Sequence, residues 1–175
     1  ERKGIKVGVF GLSPALEGLV QAKNCEGVVF MKNIAVVGGD MRNRILVELL
    51  RDGGDNVFSF ALGDEENGDF LSVINRCDYV ITSTPFSKDG EVLFCPLSDK
   101  SVLVDEFVRL VREKVVFGGA IKNDIVEKLK KCNRVFDFMK DEEVVVKNAI
   151  PTAEGVVKLI IDNTCITIDD SRVAV

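Results

Sequence analysis

Short runs of Val, Ile and Phe recur along this chain, each followed by a segment whose apolar residues return every three or four positions. This alternation constrains the fold more than any other feature. Strands covered on both faces read as near-continuous apolar runs, and the segments that cover them read as amphipathic helices. The strand candidates are Lys6 to Phe10, Ile34 to Val37, Val57 to Ala61, Tyr79 to Thr82, Val115 to Phe117 and a short run near Val135 to Phe138. Between them, Arg44 to Arg51 sets Ile45, Leu46, Leu49 and Leu50 on one face. Val104 to Arg112 does the same with Val104, Val108 and Val111, and Ile125 to Lys131 with Ile125, Val126 and Leu129. A last helix is expected from about Thr152 to Asp162, after a break at Pro151. A short strand from Cys165 to Ile168 and a new apolar strand opening at Val173 would follow. The pattern predicts an α/β fold: a doubly wound parallel sheet of about five strands with helices on both faces. The loops after Val37, Thr82 and Phe117 should then share one edge.

Composition narrows the function classes. With 175 residues, 46% of them hydrophobic and 29% charged, the chain can bury the core of one α/β domain. A net charge of -5 without a clustered Lys/Arg block argues against a nucleic-acid surface. No apolar run approaches the roughly 20 residues of a membrane span. The start lacks the apolar stretch and cleavage site of a secretory signal, so a cytoplasmic protein is expected. The five cysteines (Cys25, Cys77, Cys95, Cys132 and Cys165) are odd in number, widely spaced and unaccompanied by any histidine. They are expected to be reduced thiols, and no metal site is expected.

Four places could carry chemistry. The turn Gly38-Gly39-Asp40 follows a strand and precedes a helix, where backbone amides can meet a phosphate or carboxylate. It lacks the third glycine of a dinucleotide fingerprint, and a plain turn with Asp40 as helix cap is the alternative. Gly8 to Pro14 has a weaker version of the same look. Thr82-Ser83-Thr84-Pro85 puts hydroxyls at the carboxyl end of a strand, where open α/β sheets gather ligands, or else forms a Pro-initiated turn. The stretch after it, Phe86 to Pro96, reads as an exposed hairpin or lid. Phe117-Gly118-Gly119-Ala120 lets a ligand or a neighbouring backbone come close, or makes a tight turn. In Asn148 to Gly155, Pro151, Thr152 and Glu154 fit a helix start, whereas Gly155 weakens a helix interior and suggests close packing.

The run Asn148 to Gly155, with Ile166-Thr167-Ile168 and Ser171 to Val175 after it, resembles the domain junction of dipicolinate synthase A subunits. Ile34 to Asp40 with Arg42 is similar to that family's amino-terminal strand and turn, and Phe117 to Ile121 to a small-residue loop. The resemblance extends from Met31 to Val175, and it implies a flavodoxin- or Rossmann-like substrate-side domain. The family oxidises a cyclic dicarboxylate of the lysine pathway to dipicolinate with NADP during spore formation, and its A subunit partners a B subunit. On that resemblance Gly38, Gly39, Asp40, Arg42, Thr84, Gly118, Gly119, Pro151, Thr152 and Glu154 would bind the dicarboxylate. No cofactor site is expected in this fragment, because the glycine-rich loop would follow Val175. Residues 1–30 stand outside the resemblance as an extra segment; residues 31–175 would be the substrate-side domain, ending where a nucleotide-binding domain begins. The catalytic acid or base is not identified, homo-oligomerisation is open, and the fragment alone is not expected to be active. The competing readings are a non-enzymatic flavodoxin-like or receiver-type module, with Asp40 as phosphoacceptor, and a stand-alone nucleotide-binding domain using Gly38 and Gly39.

Overall fold

A computed structural model describes residues 31–63, 68–165, 167–169 and 171–172. The expected Lys6 to Phe10 strand, the Gly8 to Pro14 turn and the strand opening at Val173 lie outside the described residues. Five strands form one parallel sheet: β1 (Asn33–Val37), β2 (Asn56–Phe60), β3 (Tyr79–Thr82), β4 (Val115–Gly118) and β5 (Arg134–Asp137), in the order β2-β1-β3-β4-β5. The helices are α1 (Met41–Asp52), α2 (Phe70–Asn75), α3 (Val104–Leu110), α4 (Asn123–Lys130) and α5 (Glu142–Asn163), with a 3-10 turn at Phe138–Lys140.

The order of the strands fixes where the helices go. The chain moves one way from β1 to β2 and the other way from β2 onward, and right-handed crossovers then place α1 on one face and α2, α3 and α4 on the other. Two clusters follow from the alternation of side chains along each strand. Ile34, Val36, Ile81 and Phe117 pack with Val47 and Leu50 of α1. Ala35, Val37, Val80 and Val116 pack with Phe70, Val73, Phe107, Ile125 and Leu129 of the other three helices. The doubly wound α/β fold expected from the sequence is therefore the fold observed.

Three local expectations are corrected. Phe86 to Pro96 is no lid: Phe86 and Leu93 are buried, Leu93 and Val102 are joined backbone to backbone, and Phe94 N–H donates to the Phe86 carbonyl at 3.0 Å. Its Lys88-Asp89-Gly90 tip is a turn with Lys88 and Asp89 exposed, the Asp89 carboxylate accepting from Glu91 N–H and Val92 N–H. The last helix does not begin at Thr152 but runs unbroken through Pro151 from a cap at Asp141, whose carboxylate accepts from Glu143 N–H and Val144 N–H. The expected strand from Cys165 to Ile168 does not form among its described residues.

Candidate functional site

The carboxyl ends of β1, β3 and β4 lie side by side, and the crossovers from β1 and β3 depart in opposite directions. In open α/β sheets this reversal opens a crevice between the two loops. The turn after β1 forms one wall. Gly38 and Gly39 adopt φ of 66° and 113°, where a side chain is disfavoured, and there is no room for one. A Cβ on Gly38 would press on Cys95 Sγ, and one on Gly39 on the side chain of Asn43. Their amides are already used, since Gly38 N–H donates to the Phe60 carbonyl and Gly39 N–H to the Phe94 carbonyl, each at 2.8 Å.

Asp40 caps α1, its Oδ1 accepting from Arg42 N–H at 2.9 Å. The Arg42 guanidinium folds back over the same carboxylate, Nε donating to both oxygens at 3.0 and 3.1 Å and Nη2 to Oδ2 at 2.8 Å. Nη2 also donates to the Thr84 carbonyl at 2.8 Å, so one side chain ties the β1 turn to the end of β3. The bonds to Arg42 hold the Asp40 carboxyl below its ordinary range and raise Arg42 in turn. Arg42 Nη1 bonds no described residue, and the side chain is 64% exposed. With Nε held by Asp40 and Nη2 shared between Asp40 and the Thr84 carbonyl, the Nη1 N–H groups are the donors this arginine keeps for a ligand carboxylate.

The hydroxyls at the end of β3 divide into two kinds. Thr82 Oγ1 donates to the Phe117 carbonyl at 3.0 Å and Ser83 Oγ to the Pro85 carbonyl at 2.8 Å, and both residues are buried. The half-buried Thr84 makes no side-chain hydrogen bond to a described residue, and its peptide bond to Pro85 is cis. Gly118 and Gly119 have no room for a side chain: a Cβ on Gly118 would meet Thr82 Oγ1 at the end of β3, and one on Gly119 would overlap Thr84 Oγ1 in the following loop and the Phe138 ring. What comes close at this loop is a neighbouring side chain.

Two residues at this edge of the sheet escaped the sequence reading. Buried Asn43 directs Nδ2 at the Thr82 carbonyl at 3.5 Å, under the β1 turn. Asp137, at the end of β5, accepts from Ala120 N–H, Ile121 N–H and Met139 N–H at 3.0 Å each. It thereby supplies the anion that the amides before α4 would otherwise seek, and it holds Ala120 at a φ of 54°. The signal for Asp137 was present in the sequence, as an acid directly after the apolar pair Val135-Phe136.

The structure thus brings Gly38, Gly39, Asp40, Arg42, Thr84, Gly118 and Gly119 to one edge. Pro151, Thr152 and Glu154 lie nine to twelve residues along α5, on the order of 15 Å from its start, and no hydrogen bond or ion pair joins them to the three loops among the described residues. Thr152 Oγ1 donates back to the Asn148 carbonyl at 2.9 Å, so it caps nothing. A Cβ on Gly155 would meet only open space, so no close packing explains that glycine. The receiver-type reading fails on its own terms, because Asp40 is a helix cap paired to Arg42 and β5 carries no lysine. Among the described residues no group of three or more His, Cys, Asp or Glu could hold a metal ion, and no helix is long and apolar enough to cross a membrane.

Residues 33–139 match the family described as the N-terminal domain of the dipicolinate synthase A subunit. The chain belongs to that family. A curated relative, the dipicolinate synthase A subunit of Bacillus subtilis (strain 168), is 25% identical over 155 residues, covering 81% of this chain and 52% of the relative. Two solved structures share the fold. The dipicolinate synthase A subunit from Bacillus subtilis superposes with a TM-score of 0.63 at 21% identity over 82% of this chain and 52% of its own. Its counterpart from Bacillus halodurans gives 0.62 at 20% identity over 78% of this chain and 50% of its own. The chain therefore spans about half the length of the relatives it matches.

Proposed function

We propose that this chain is the substrate-side domain of a dipicolinate synthase A subunit, and that it binds a cyclic dicarboxylate in the crevice between the β1 and β3 loops. The Arg42 fork carries the reading. Asp40 and the Thr84 carbonyl hold Nε and Nη2, which fixes the plane of the guanidinium and leaves the Nη1 edge for one carboxylate of the ligand. The Thr84 hydroxyl beside Gly119 adds a neutral donor for an oxygen of the same ligand. Pre-organisation of this kind lowers the ordering cost of binding.

In this proposal the full-length protein oxidises the ring with a nicotinamide cofactor held outside this domain, in the company of a B subunit, during spore formation. The described residues fit a cofactor pyrophosphate poorly, since the Gly38 and Gly39 amides that would cradle it are bonded to Phe60 and Phe94. Titration of the chain with pyridine-2,6-dicarboxylate, followed by amide NMR, should move Gly39, Arg42 and Thr84 together. Arg42→Gln should weaken binding tenfold or more, the scale for removing a charged donor, while the melting temperature stays close to that of the parent. Shifts confined to other parts of the sheet, or equal affinity in the Arg42→Gln variant, would remove the reading. Tight binding of NADP at Gly38 and Gly39 would replace it with a nucleotide site.

A further inference from the structure

At the opposite, amino-terminal edge of the sheet, a groove of about 430 Å³ is lined by Glu113, Lys114, Val115, Lys130, Lys131, Cys132, Asn133 and Arg134. Lys114 and Arg134 come from the starts of β4 and β5, and Lys130 and Lys131 from the end of α4. Four cations and one carboxylate give this wall a formal charge of about +3 (4 − 1) in a chain whose net charge is -5. None of the four makes an ion pair with a described residue, although Lys128 on the same helix pairs with Asp105. Cations at a helix carboxyl end answer its dipole, which accounts for Lys130 and Lys131. It does not account for Lys114 and Arg134, which arrive from neighbouring strands.

The floor of the groove is rigid. Asn133 donates through Nδ2 to the Val111 and Leu129 carbonyls at 2.9 and 3.1 Å and accepts from Lys114 N–H at 3.0 Å. Glu113 is held at a φ of 58°, in the left-handed region that favours glycine. The Arg134 guanidinium lies within cation–π range of the Phe136 ring, its Cζ 5.8 Å from the ring centroid. A hydrogen-bonded floor under four cations that have no ion-pair partner among the described residues suits a compact ligand carrying several negative charges.

We propose that this groove binds a small oligophosphate, with the Arg134 fork taking one phosphate and Lys114, Lys130 and Lys131 the remaining charge. The site is separate from the Arg42 crevice by the full length of β4 and does not depend on the dicarboxylate reading. Inorganic pyrophosphate and tripolyphosphate are the probes, titrated into the 175-residue chain at about 0.15 M salt, where long-range attraction is screened. Saturable amide shifts confined to 113–115 and 130–134 are expected. Lys114→Gln combined with Arg134→Gln should raise the dissociation constant at least tenfold, whereas Lys128→Gln, which removes a charge beside the groove but outside it, should leave it unchanged. Linear shifts spread over all surface lysines, or an equal loss in the Lys128→Gln variant, would show only diffuse attraction and overturn the proposal. Tighter binding of an acidic peptide to the same residues would overturn it in favour of a protein partner, and displacement centred on Arg42 would do so in favour of the crevice. Arg134 and Lys128 are exposed and Lys114 is half-buried, and an unchanged melting curve confirms that the fold is retained.

Discussion

At the residue scale, the crevice is set by side chains that press on glycines as much as by those that bond. Gly119 is the sharpest case, because a methyl there would overlap both Thr84 Oγ1 and the Phe138 ring. Gly119→Ala should destabilise the chain by about 1 to 3 kcal/mol, the usual cost of adding a carbon to a packed site. Adding Thr84→Ala should recover part of that loss, since one of the two obstacles is then gone; urea denaturation of both variants reads the coupling. An unchanged midpoint for Gly119→Ala would mean that the loop is looser than its packing implies. Asp89 gives a second residue-scale test. Backbone N–H groups of Glu91 and Val92 and the Ser87 hydroxyl donate to its carboxylate and lower its pKa from 3.8 to about 2. Because the folded value lies below the unfolded one, the stabilisation is complete above about pH 4 and is lost as pH falls toward 2. A carboxyl-carbon NMR titration should show Asp89 still ionised at pH 3, and a midpoint at the ordinary aspartate value would contradict the turn.

At the element scale, the legible parts of the sequence were those with enough length or burial to leave a pattern. β1, β3 and β4 are central and apolar on both faces, so Ile34 to Val37, Tyr79 to Thr82 and Val115 to Phe117 announced themselves within a residue of their observed bounds. Helix α2 was missed because its six residues, Phe70–Asn75, complete fewer than two turns and leave no periodicity to count. The crevice was legible in part: strand ends carrying Gly, Asp and Thr marked its walls, but no pattern reveals that Arg42 bridges Asp40 and Thr84 across 42 positions of chain. Asp137 went unread because its three donors come from the β4 loop and its own following turn. Pro151 misled for a physical reason. Proline in a helix interior costs about 3 kcal/mol, so a boundary is the reasonable expectation, yet α5 is largely exposed over this stretch, where water can reach the backbone around the missing N–H. Pro151→Ala restores the missing N–H donor. Hydrogen exchange across residues 148–155 should slow and the far-UV helical signal rise; exchange rates equal to the parent's would mean that the helix is already discontinuous there.

At the scale of the whole molecule, the doubly wound sheet separates two kinds of thiol, and their chemistry reports whether the core closes as described. Cys77 lies between α2 and β3, almost wholly buried, and desolvation pushes its pKa up to about 11. Cys95 lies under the Gly38 turn, and burial likewise pushes it up to about 11. Cys165, past the end of α5, is exposed. The thiolate is the reactive species, so at pH 8 a thiol with a pKa near 11 is ionised to about one part in a thousand, and burial blocks the reagent as well. Alkylation followed by peptide mass mapping should therefore label Cys165 quickly and Cys77 at a rate set by global unfolding, because a strand-flanking core position opens only when the domain does. Cys95 belongs to the crevice, so its labelling should be slow but faster than that of Cys77, since local opening of the 86–96 segment suffices to expose it. Raising urea below the unfolding midpoint should accelerate Cys77 in step with the equilibrium population of unfolded chain. If Cys77 instead reacts as fast as Cys165 in native buffer, α2 does not cover β3, and the two-faced sheet that positions the Arg42 crevice would have to be redrawn.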